Sequence, residues 1–80
     1  MPPPSDSPDW VVARRRVVGD RIRAARLHRS LTQERLAERA GLDRQAVNRV
    51  EQGHQSPRLD TLLLLADALG VPLSQLVRDG

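Results

Sequence analysis

From Trp10 onward, apolar residues recur at steps of three, four and seven, and nowhere do they alternate with polar ones over a useful length. Such spacing puts an apolar stripe along one side of a helix and predicts no strand. Val11, Val18, Ile22 and Ala25 share one face and predict a first helix over about residues 10–29, with Asp9 as its N-cap. Gly19 falls mid-helix, where glycine costs ~1 kcal/mol relative to alanine, and argues for a start nearer residue 17. A second helix is predicted over about 33–40. Thr32 caps it, Glu34 suits its positive end, and Leu36, Ala37 and Ala40 face inward. Gly41 ends it in the left-handed conformation that glycine adopts most cheaply, and Leu42 fills the corner. Asp43 caps a third helix over about 44–52, with Val47 and Val50 inward and Gly53 as its stop. A fourth, about 58–69, buries Leu59, Leu62, Leu65, Ala66 and Leu69 and stops at Gly70. Pro72 opens a short fifth helix through Leu73, Leu76 and Val77. The expected fold class is all-α.

The second and third helices, joined by a short turn containing glycine, have helix-turn-helix spacing. With Gln33 as the first position of a twenty-residue unit, Leu36 is fourth, Ala37 fifth, Gly41 ninth, Val47 fifteenth and Val50 eighteenth. Ala37 lets the third helix cross closely, Gly41 permits the turn, and the three larger apolar residues lock the crossing angle. Arg44, Gln45, Asn48 and Arg49 then share the outward side of the third helix. Arg bonds two acceptors on guanine, and Gln or Asn bonds adenine in the same bidentate manner. Ala46 is small enough to meet a thymine methyl or to let the helix approach.

Composition narrows the alternatives. Thirteen arginines, no lysine and ten acids give a net charge of +3. Residues 1–9, MPPPSDSPD, hold four of the six prolines and two of the acids, and are expected to be a disordered tail. That leaves +5 (13 Arg less 8 acids) on a folded domain over residues 10–80. Cysteine is absent, which removes disulfides, thiolate metal sites and cysteine nucleophiles. Trp10 is the sole aromatic, so the stacking platforms of single-stranded nucleic-acid binders are missing. The longest apolar run, residues 62–66, is far short of the ~20 residues of a membrane span, and no charged-then-apolar leader opens the chain. No paired carboxylates with a histidine, no glycine-rich phosphate loop and no base-activated serine point to an enzyme, and no metal or cofactor is expected.

The stretch LTQERLAERAGLDRQAVNRVEQGHQSPRLDTLLLLADALGVPLSQL resembles the phage-repressor type of helix-turn-helix domain, the Cro/XRE family. The resemblance covers about residues 18–78 and runs in order through LTQ, LAERAG, VEQG, the following Pro57 and LADALGVPL. It implies a five-helix bundle of the lambda-repressor-like type that binds double-stranded operator DNA as a two-fold dimer. It implies that Gln33 and Thr32, at the start of the second helix, meet phosphate. Arg44, Gln45 and Arg49, with Asn48, would face bases. His54, Gln55, Ser56 and Arg58 would follow the backbone. Arg26 and Glu51 would form a structural pair. The chain departs from the family pattern at Ala25, Asp43, Leu64 and Pro72.

Other residues invite plainer readings. Arg14, Arg15 and Arg16 either reach phosphate or keep the chain soluble. Trp10 is expected to anchor the core or the helix start. His28 is a surface residue with no ligand partner nearby in sequence. Leu63 and Leu64 lie off the inward stripe of the fourth helix, and mark either a dimer surface or partial cover by the fifth. The expected function is a cytoplasmic, bacterial or phage-type transcriptional regulator, a repressor by promoter occupancy. The alternatives are an antitoxin with a toxin partner, a restriction–modification controller, or a protein-interaction module that does not touch DNA.

Overall fold

Helix boundaries are set by local chemistry. In the computed structural model, which describes residues 7–79, α1 spans Asp9–His28, α2 Gln33–Ala40, α3 Arg44–Gln52, α4 Leu59–Leu69 and α5 Leu73–Val77. All regular structure among the described residues is helical. The Thr32 side chain accepts from the Arg35 N–H at 3.0 Å, and Asp43 Oδ1 from the Ala46 N–H at 2.8 Å, so both middle helices have a side-chain N-cap. Gly41 and Gly53 close these helices at φ 72° and 70°, where a Cβ would be strained.

The core gathers residues from every helix. Ile22, Leu36, Val47, Leu65, Leu69 and Leu76 are fully buried. Val18, Leu42, Leu62 and Leu73 pack around them, half-buried. This core fixes α2 and α3 at one angle and backs both with α1 and α4. No helix among the described residues is long and apolar enough to cross a membrane.

Several sequence expectations are corrected. Asp9 does not cap α1; Pro8 holds the N-cap position and Asp9 is the first helical residue, with no side-chain cap bond. Nor does α1 begin near residue 17. It runs unbroken through Gly19 because α3 crosses there: a Cβ on Gly19 would lie 2.5 Å from the Val50 carbonyl oxygen and 2.6 Å from that of Glu51. The helix interior loses propensity at this position so that two backbones can touch. Residues 1–6 of the expected tail lie outside the described residues. Leu59 is not a core residue; it is 61% exposed, because it opens α4 on the side away from the core. Val77 also emerges at the end of α5.

Trp10 anchors no core, being 70% exposed. Arg14 and Arg15, rather than projecting into solvent, tie helix ends together. Arg14 donates to the Arg78 carbonyl at 2.6 Å and pairs with Asp79 at 3.1 Å. Arg15 Nε donates to the Gly53 carbonyl at 2.9 Å, and Arg21 donates to the Leu76 carbonyl at 3.3 Å. Carbonyls just beyond a helix end lack intrahelical donors, and cations are stabilising there.

Candidate nucleic-acid interface

The outward side of α3 is built by elimination. Val47 and Val50 turn into the core, which leaves Arg44, Gln45 and Arg49 exposed on the opposite side. Their contacts are confined to their own face, where Arg49 Nη2 donates to Gln45 Oε1 at 3.3 Å. That geometry keeps the longest side chain aligned along the helix while its other donors stay open. Asn48 is placed differently. It is half-buried and donates through Nδ2 to Gln33 Oε1 at 3.3 Å, so it joins α3 to α2 rather than standing with the other three.

Behind this face lies a polar network. Arg26 and Glu51 form a buried bidentate pair, Nε to Oε2 at 2.7 Å and Nη2 to Oε1 at 3.0 Å. Arg26 Nη1 also donates to the Leu31 carbonyl at 2.8 Å, which pins the turn after α1. Gln33 Nε2 donates to Glu51 Oε1 at 3.1 Å. The chain of contacts therefore runs Arg26, Glu51, Gln33, Asn48 and links α1, α3 and α2. No buried side-chain nitrogen or oxygen among the described residues lacks a partner. Satisfied buried networks specify one geometry, because any unpaired member is costly. Here the network fixes the amide of Gln33 at the start of α2, beside backbone N–H groups that no carbonyl of the same helix can take.

The loop after α3 brings further expected residues to the same side. A cleft of about 400 Å³ between α3 and the start of α4 is lined by Ala46, Arg49, Gln55, Ser56, Arg58 and Thr61. Three of these, Gln55, Ser56 and Arg58, are exposed loop or helix-start residues; His54 is exposed too but lines a separate hollow with Arg16, Asp20 and Arg23 of α1, not this cleft. Thr61 was not singled out from the sequence. Its signal was its position three residues after Arg58, on the same side of α4. Thr32 is exposed, with its oxygen engaged in the cap. Leu63 and Leu64 lie further along α4 and remain 47% and 43% exposed.

Known proteins similar to this chain match its middle. A helix-turn-helix family model matches residues 22–76. The immunity repressor protein of Bacillus phage phi105 is 45% identical over 60 residues, which are 75% of this chain and 42% of that protein. The cryptic phage CTXphi transcriptional repressor RstR of Vibrio cholerae is 41% identical over 59 residues, 74% of this chain and 53% of the repressor. The chain thus spans about half the length of these curated relatives. Among solved structures, the restriction-modification controller protein C.AhdI from Aeromonas hydrophila superposes with a TM-score of 0.78 at 39% identity, covering 80% of this chain and 97% of the controller. By the matched motif, the identities and the shared fold, the chain belongs to the Cro/XRE-type helix-turn-helix family.

Proposed function

We propose that this protein is a sequence-specific, double-stranded DNA-binding transcriptional regulator of the cytoplasm that represses by occupying its operator. Its work is binding, not catalysis. One observation carries the reading: the tips of Arg44, Gln45 and Arg49 stand exposed on a helix whose other side is locked into the core. A major groove about 12 Å wide admits such a helix, and these side chains match guanine and adenine edges. Asn48 enters as a base reader only by releasing Gln33. Phosphates are met by Gln33 and Thr32 at the start of α2, and by His54, Gln55, Ser56 and Arg58 beyond α3. Contacts of this kind fix register and carry no sequence information themselves. Arg26 and Glu51 set the frame.

Leu63 and Leu64 supply the surface of a homodimer that reads two half-sites about 34–36 Å apart. A controller of a restriction–modification system is the second reading, favoured by the match to nearly the whole of C.AhdI. Both readings use the same interface. Selection of bound duplexes from a random pool tests them together. A palindromic consensus is expected, with binding that falls steeply with log salt as phosphates are neutralised. Failure to enrich any sequence, with salt-insensitive capture of a protein such as a toxin, would overturn the DNA-binding reading.

A further inference from the structure

Among the cavities that the described residues line, one is more apolar than the cleft beside Arg49. It lies beside the first turns of α1, shares Val50, Ser56 and Pro57 with the cleft beside Arg49, and has a volume of about 390 Å³. That is at the small end of the roughly 300–1,000 Å³ typical of ligand pockets. Trp10, Val11, Val18, Leu62 and Val77 supply its apolar walls. The exposed indole of Trp10 at the lip gains by being covered, since its apolar body is large and only one atom needs a polar partner.

The charges on the wall are unequal. Arg14 lines the cavity, but its charge is already paired through Nη2 with Asp79, the one carboxylate among the described lining residues, whereas Arg15 has no ion pair among the described residues. Arg15 uses only Nε, on the Gly53 carbonyl, and its two terminal nitrogens have no hydrogen-bond partner among the described residues. A half-buried guanidinium fork with open donors beside an apolar wall suits a carboxylate, which it grips through two parallel bonds.

We propose that this cavity binds an apolar monocarboxylate, with its tail between Trp10, Val11 and Leu62 and its carboxylate on Arg15. The lining also includes Val50 of α3 and Ser56 and Pro57 of the following loop, so an occupant touches the elements that carry Arg49 and Gln55. Any effect of occupancy on DNA binding rests on the function proposed above; the site itself does not.

Decanoate, kept below micelle formation, is the probe. Trp10 is the only aromatic residue, so its fluorescence reports the cavity lip without background. Titration of the full chain is expected to give a saturable blue shift, with decanol about tenfold weaker or more for want of the charged bond. Arg15→Gln is expected to weaken decanoate by a similar factor, with Arg15→Lys intermediate, since it keeps the cation but loses the two parallel bonds. Val11→Phe, which fills the space, is expected to abolish it with the helical circular dichroism unchanged. No saturable shift, an equal response to decanol, or undiminished binding by either Arg15→Gln or Val11→Phe would overturn the proposal.

Discussion

Replacing Gly19 by alanine is expected to destabilise this protein, although helix propensity alone says the opposite. Alanine is favoured over glycine in a helix interior by about 1 kcal/mol, and α1 is helical on both sides of residue 19. The added Cβ, however, would sit 2.5 Å from the Val50 carbonyl oxygen, 2.6 Å from the Glu51 carbonyl oxygen and 2.9 Å from the Glu51 carbonyl carbon. A carbon and an oxygen settle at about 3.3 Å or more, so the two helices would have to part by roughly 0.8 Å. All three obstructing atoms are backbone, so no side chain can swing aside. Val50 is held in the core and Glu51 by Arg26, so α3 cannot yield locally. Overpacking of this kind costs about 1–3 kcal/mol, and a backbone clash belongs at the upper end. After the propensity gain, the net loss is about 2 kcal/mol. For a domain of this size that lowers Tm by about 8–16 °C. Thermal and urea melts of both proteins, followed by far-ultraviolet circular dichroism, measure it. An unchanged or raised Tm for Gly19→Ala would refute the claim that the contact between α1 and α3 sets this position.

Three further outcomes follow from the network and the surfaces. Glu51→Leu leaves the Arg26 guanidinium buried without its countercharge and is expected to cost about 3–5 kcal/mol, whereas adding Arg26→Met recovers part of that loss, the rest being the Leu31 carbonyl and Gln33 amide left without partners. Urea melts arranged as a double-mutant cycle measure the coupling, and simple additivity would count against it. Arg58→Ala, which leaves the Gln33–Asn48 bond intact, is expected to weaken binding to all duplexes about alike, since a phosphate contact carries no base information; a changed base preference in a binding titration would contradict that role. Leu63→Glu combined with Leu64→Glu is expected to give a folded monomer by sedimentation, and an unaltered dimer would move the subunit contact elsewhere.

What could be read from the sequence was what local chemistry decides. The limits of α2 and α3 follow from Thr32, Gly41, Asp43 and Gly53, each of which acts on its immediate neighbours, and the structure places all four at those helix ends. The outward placement of Arg44, Gln45 and Arg49 follows from Val47 and Val50 facing inward. Long-range effects were less legible. Gly19 looks like a flaw in α1 until α3 is seen to cross it. Arg14 and Arg15 read as surface charge until the ends of α5 and α3 are brought to them. Asn48 shares the periodicity of Arg44, Gln45 and Arg49, yet Gln33, fifteen positions earlier, draws it inward. Leu59 and Trp10 are large apolar residues at helix starts, where periodicity says least about which side is covered.

The central claim is that the exposed tips of α3 read base edges, and Arg49 tests it most directly. Wild type and Arg49→Ala should be titrated with the selected duplex and with variants altered one base pair at a time. Arg49→Ala is expected to lose about 1–3 kcal/mol of discrimination at a single base pair and to keep its preferences elsewhere. An equal loss on every duplex, random sequence included, would contradict it.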